Sequence, residues 1–291
     1  MHSFFLDVDT AVGPSHRILH YNNAVMQSCA ETEESKTRDA EHAHRAHPPL
    51  LLVSGGAEGS DEAWSNVVVS HGRRVVVMSF PGHRSKPAQS ASVLVRKLKD
   101  QDLKCVIPTL SESAVHLGRR SVPREGALTF IHRLLCRNAW IVHKATHCFA
   151  VGYKLRTYRS NLCTLSVRVQ GGTAWACQMF VCATLRKLKQ QQELKQEPKD
   201  KQPLLTSSSN SHTFPCNLWL FDQDIGAWNR GVLRRTKKED GAVAWSFCWE
   251  AQSRALSLPK SGRVALVGTR KILTNGCDAI RECCGSLQKR E

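Results

Sequence analysis

Apolar residues in this chain fall into short uninterrupted runs and into longer stretches where they recur every three or four positions. The first run, Leu50-Leu51-Leu52-Val53, breaks into Ser54-Gly55-Gly56-Ala57-Glu58-Gly59 and continues as a helical pattern from Ser60. A second, β-branched run (Val75-Val76-Val77-Met78) ends at Pro81-Gly82-His83. Further runs are Cys148-Phe149-Ala150-Val151-Gly152, Asn217-Leu218-Trp219-Leu220-Phe221 and Val264-Ala265-Leu266-Val267, the last closing on Gly268-Thr269-Arg270. Buried strand, glycine turn and helix in succession predict an α/β fold, a doubly wound, mainly parallel sheet with helices on both faces.

Helical spacing supports that order. Val93, Leu94, Leu98 and Leu103 suggest a short helix. Ala127, Ile131, Leu134 and Asn138 share one face of a helix within 124–140. Trp175, Gln178, Cys182 and Leu185 form another stripe, and Cys277, Ile280, Cys284 and Leu287 a last one. Alternating Val243, Trp245, Phe247 and Trp249, with Trp228 nearby, predict a hairpin or edge pair. Residues 31–47 are polar and charged, and 1–48 are expected to be a disordered or loosely packed extension; His42, His44 and His47 there are taken as solvated tail residues. Residues 49–287 then form a single domain. It carries a low-complexity insertion at about 186–213, whose first part extends the preceding helix before Pro198 and Pro203.

With 291 residues, 41% of them hydrophobic, the chain can bury a sizeable core. It has no run of about 18 apolar residues, so no membrane span is expected. The N-terminus lacks a basic segment followed by a long apolar one, which points away from a secretory signal and toward an intracellular protein. The 12 cysteines are scattered without a C-x-x-C pair, so they are read as free and mostly buried, and no metal site is expected. A net charge of +16 admits nucleic acid as a partner, but the aromatic residues do not interleave with the basic ones as a stacking platform requires.

Candidate chemistry gathers at two glycine-to-helix starts. Around the first, Gly55, Gly56 and Gly59 allow approaches that a Cβ would forbid, with Ser54 and Ala57 beside them as ligand-binding candidates; Ser60 can cap the helix, and Asp61 and Glu62 fall in its first turn. Those acids would repel a phosphate, so Asp61 suits a ribose hydroxyl or a base. The second, Gly171-Gly172-Thr173, has no acid in its first turn and is the better phosphate site. His83 stands at a strand's carboxyl end, where open α/β sheets bind ligands. Arg137 offers a planar cationic fork and Asn138 an amide; both could hold a ligand or merely cap helix and strand ends. Arg270 could neutralise a phosphate or pair with a surface acid. The two bends are expected to lie side by side along one sheet rim and jointly grip one phosphorylated sugar.

GGAEGSDEAW, SFPGH, LLCRNAWIV, CFAVG, VQGGTAWACQM, LWLFDQDIGAW and VALVGTRKI occur in that order. The set resembles the SLOG superfamily, which takes in the LOG phosphoribohydrolases and the DNA-processing protein Smf/DprA, and is most similar to bacterial and phage members of unassigned activity. The resemblance runs from about Leu50 to Cys284, apart from insertions at 153–161 and 186–213. It implies a Rossmann-like sheet holding a nucleotide-derived ligand across its strand ends. Ligand-binding residues implied are Gly55, Gly56, Gly59, Asp61, Arg137, Asn138, Gly171, Gly172, Thr173, Gln178 and Arg270, with Asp222 and Gln223 at a later strand end and Gly152, Gly268 and Thr269 at neighbouring ones. Gln178 stands where the hydrolases carry a catalytic glutamate; an amide cannot act as general base, which counts against that activity. The expected function is therefore a sensor or carrier module with a small nucleotide derivative as partner and no separate cofactor; homo-oligomerisation stays open. The alternatives are N-glycosidic hydrolysis, with Asp61 as candidate acid/base, and single-stranded DNA binding.

Overall fold

The computed structural model describes residues 49–83, 90–119, 128–156, 163–195, 211–238 and 240–287. The chain divides into two units, Met1–Ala46 and His47–Glu291, and all described residues lie in the second. The expected extension over 1–48, with His42, His44 and His47, and residues 196–210 of the insertion lie outside the described residues.

The strands are β1 (Leu51–Ser54), β2 (Val75–Ser79), β3 (Val93–Lys97), β4 (His147–Gly152), β5 (Ser211–Asp222), β6 (Ala227–Lys237), β7 (Val243–Ala251) and β8 (Arg263–Gly268). The helices are α1 (Ser60–Ser70), α2 (Asp100–Cys105), α3 (Ile107–His116), α4 (Phe130–Val142), α5 (Gly171–Lys195) and α6 (Thr274–Cys284). All eight strands join one sheet in the order β3-β2-β1-β8-β4-β5-β6-β7. The first six in that order run parallel, and β6 and β7 add an antiparallel edge. The last strand, β8, inserts between β1 and β4, so the carboxyl ends of β1, β8 and β4 form one continuous rim.

The apolar runs become strands because both faces of the sheet are buried, the pattern of a parallel sheet. Leu52, Val264, Leu266, Phe149 and Val151 pack in one cluster with Trp64 and Val68 of α1 and with Ala279, Ile280, Cys283 and Cys284 of α6. Alternate residues Val53, Ala265, Cys148 and Ala150 are buried too, on the opposite face. There α5 packs against α3 and α4. Burying side chains such as Leu52 and Phe149 contributes roughly 1.5–3 kcal/mol each, which makes the sheet a rigid mount for its rim. The fold is thus α/β with a mostly parallel sheet. Among the described residues no helix is long and apolar enough to cross a membrane.

Four local expectations are corrected. Val93 and Leu94 belong to a strand, not a helix: β3 pairs with β2 along its whole length, and Leu94 stays 65% exposed on the sheet's outer edge. Leu98 and Leu103 are buried just before and within the following helix α2. On α4 the inward face is Cys136, Arg137, Ala139 and Trp140 rather than the Ile131 stripe, and Ile131 is 67% exposed. Two anchors turn that helix: the Trp140 indole N–H donates to the Asp102 carbonyl at 2.8 Å, and Arg137 is drawn inward by an acid. Gly59, at φ 96°, is the N-cap of α1, and Ser60 is its first helical residue with no capping side-chain bond. Finally, β5 begins at Ser211 rather than Asn217, because its first half pairs antiparallel with β6.

Candidate functional site

The bend between β1 and α1 is closed by its own side chains. Gly55, Gly56 and Ala57 are buried. The backbone N–H of Ser60 donates to the Thr269 carbonyl at 3.0 Å, and that of Glu62 to the Ala57 carbonyl at 3.0 Å. Asp61, only 5% exposed, pairs with Arg137 at 3.4 Å, and Arg137 also donates to the Gly55 carbonyl at 2.9 Å. A Cβ on Gly55 would lie 2.6 Å from the Arg137 Cζ, and one on Gly268 would lie 2.6 Å from the Ser60 Oγ. These glycines therefore serve close packing of chain on chain. Ser54 and Ser65 reinforce it, their hydroxyls donating to the Asp61 carbonyl at 3.2 and 2.9 Å.

Burial is the dominant influence on this ion pair. It pushes the Asp61 carboxyl up, against the pull of Arg137, the backbone N–H groups of Ala57 and Gly268, and the Arg270 charge. It pulls the Arg137 guanidinium down, against Asp61. The Asp61 carboxyl is thus held between Arg137 and backbone N–H groups. The described thiols with shifted titration are all pushed up by burial, Cys136 and Cys177 to about 12, which removes them as nucleophiles.

His83 sits beside the pair. Its Nε2 accepts from Arg137 at 3.1 Å, so the proton is on Nδ1, which donates to the Ser79 hydroxyl at 3.3 Å. Burial, then the charges of Arg137 and Arg270, lower its titration to about 4. The ring stacks on Phe80 with centroids 5.0 Å apart. At neutral pH it is an uncharged polar edge at the carboxyl end of β2.

Arg137 also reaches toward the second bend. It donates to the Asn138 Oδ1 at 3.0 Å, and the Asn138 amide donates to the Gly172 carbonyl at 3.4 Å. This chain of bonds places the starts of α1 and α5 on the same rim. The second bend is unlike the first. Gly171, at φ 65°, and Gly172 are exposed, a Cβ on either would meet nothing within 4 Å, and the first turn of α5 holds no acid. No acceptor among the described residues takes the N–H groups of Gly171, Gly172 or Thr173. Thr173 is buried against the end of β4, its methyl 3.5 Å from where a Cβ on Gly152 would stand. Arg270 is exposed on the loop after β8, with its charge acting on Asp61, Arg137 and His83. The joint grip of one sugar by two open bends is thus not what the chain presents: one bend is filled, and one is open.

The remaining predicted residues divide. Gly268 and Thr269 stand on the rim, where the Thr269 N–H donates to the Val151 carbonyl at 2.9 Å. Gln178 does not face the rim: its amide accepts from the Val167 N–H at 3.0 Å and donates to the Leu165 carbonyl at 3.1 Å, clamping the loop before α5. Gln223 is likewise a clamp, donating to the Lys271 carbonyl at 3.2 Å and accepting from the Leu273 N–H at 2.6 Å. Asp222 accepts from the Lys154 N–H at 3.4 Å and lines an open cleft of about 440 Å³ with Lys154, Leu155, Arg156, Arg168, Ile225 and Trp249. Sequence reading passed over this cleft, because Lys154 and Arg168 lie in an irregular loop and Trp249 arrives from β7. The basic run just after β4 was the available signal.

Comparison with known protein families, with curated proteins and with solved structures finds no match to this chain.

Proposed function

We propose that the domain binds a nucleotide-derived phosphate ester at the carboxyl rim of β1, β8 and β4, as a sensor or carrier built on a SLOG-like, Rossmann-like sheet. The observation that carries this reading is the open start of α5: exposed glycines, no acid in the first turn, and N–H groups without described acceptors. A phosphate there gains from the helix dipole and from unspent donors. Arg270 adds positive charge, and the amide of Asn138 keeps a second N–H to offer a sugar or base. Glycosidic hydrolysis is less well supported, since Asp61 spends its carboxylate on Arg137 and on backbone N–H groups.

The test is calorimetry with a panel of nucleotides and their phosphate-free counterparts, on the wild-type chain and on Gly172→Asp. The substitution meets open space, so the fold should persist. A carboxylate at the helix start should weaken binding about ten-fold or more. No binding by any panel member at millimolar concentration, or equal affinity in the variant, would overturn the reading.

A further inference from the structure

A second constellation lies away from the rim, where α3 meets α5. Glu112 and His116 are four residues apart on α3 and so share one face of that helix. Cys182 of α5 approaches the same point, and one donor atom from each of the three lies within 4.8 Å of the other two. A fourth donor arrives from the loop before α5: the Cys163 sulfur is 3.3 Å from the His116 Nδ1. Sulfur and nitrogen bound to one tetrahedral zinc stand roughly 3.5 Å apart, given metal–ligand distances of about 2.3 and 2.0 Å. The loop thiol and the imidazole are therefore already at ligand-to-ligand spacing, the donor atoms of Glu112, His116 and Cys182 need to close by about an ångström, and the Cys163 sulfur joins that trio by following the imidazole it already touches.

We infer that Glu112, His116, Cys163 and Cys182 form a structural site for a thiophilic divalent cation, zinc foremost. Two sulfurs, one imidazole and one carboxylate make a closed four-coordinate set, the type that supports folding rather than catalysis. On binding, each thiol gives up its proton to solvent as a metal–sulfur bond forms, with no change of oxidation state. Two thiolates and a carboxylate outweigh the cation by one negative charge. Arg186, paired with Glu112 at 3.4 Å, and Lys189, whose charge acts on His116, stand ready to balance it. The Gln178 amide reaches the Cys182 sulfur at 3.7 Å, as a hydrogen-bond donor to a ligand thiolate does.

The site would act as a clasp. Gln178 holds Leu165 and Val167 of the loop that carries Cys163. That loop also lies along the outer edge of β7: the Phe247 N–H donates to the Thr164 carbonyl at 2.9 Å, the Thr164 hydroxyl to the Trp245 carbonyl at 3.1 Å, and the Trp249 indole to the Val167 carbonyl at 2.7 Å. A cation at this point ties helix layer, loop and sheet edge together, on the path that leads into the open start of α5.

The experiment uses the full chain, stripped with a chelator and titrated with Zn²⁺ and Co²⁺. One equivalent of each should bind. The Co²⁺ form should show thiolate-to-metal charge transfer in the near ultraviolet and the strong visible bands of four-coordinate cobalt. Zn²⁺ should raise the urea midpoint and change the emission of Trp245 and Trp249. Cys163→Ser and His116→Gln should each weaken binding roughly 100-fold or more, while Cys277→Ser on α6 leaves it unchanged. Absence of stoichiometric binding, a cobalt spectrum without thiolate charge transfer, or equal affinity in Cys163→Ser would overturn the proposal. The wild-type cobalt spectrum decides the matter even if a variant fails to fold.

Discussion

At the start of α1 the bend is closed from within; at the start of α5 it is open to solvent. Both follow a parallel strand, both use glycine, and Asn138 and Arg137 connect them. What separates them is the second helical residue. In α1 it is Asp61, which recruits Arg137 across the rim and fills the space beside Gly55. In α5 it is Gly172, where a Cβ would meet nothing within 4 Å. A helix start offers one set of N–H groups, and an internal acceptor such as the Thr269 carbonyl excludes an external one. Glycine spacing alone does not separate a ligand cradle from an intramolecular clasp; the residue after the bend does.

The largest test of this contrast is removal of the buried cation. Arg137→Met leaves Asp61 without its partner and should cost about 3–5 kcal/mol, seen as a lower urea midpoint; adding Asp61→Leu should restore much of the loss. Next, the same substitution at the two bends should give unequal results. Gly55→Ala forces a methyl onto Arg137 and should cost about 1–3 kcal/mol, whereas Gly172→Ala should stay within about 0.5 kcal/mol of wild type. Equal losses would show that the bends are not different in kind.

The smallest effect is on pH dependence. His83 is lowered from 6.5 to about 4, chiefly by burial, so the unfolded chain takes up its proton first. The stability this group contributes is fully present above pH 6.5 and is lost as pH falls from 6.5 through about 4. His83→Gln should flatten part of that decline in urea midpoints measured across the window. His143, also lowered to about 4 by burial and the charge of Arg263, should account for a remaining part.

Strands with both neighbours in place were legible in the sequence, because a buried strand must be apolar on both faces; β1, β2, β4 and β8 are such runs. The edge strand β3 was not, since Leu94 and Val95 are exposed and carry no burial signal. The ion pair at the first bend joins residues 61 and 137, and no local pattern reports a contact that distant. Gln178 fell on an apolar helical stripe, where a buried amide must find partners; sequence could not tell a ligand from the backbone of residues 165–167. The Glu112–His116–Cys163–Cys182 cluster draws on three separate segments, so no spacing rule reveals it.

The helix α5 has one further consequence. Its 25 residues span roughly 37 Å at about 1.5 Å each, nearly twice the length of the six-residue β4. It begins at the carboxyl rim of the sheet, and none of its described side chains past Leu185 is buried. A fluorophore grafted onto those last turns would stand well away from the start of the helix and leave it unobstructed.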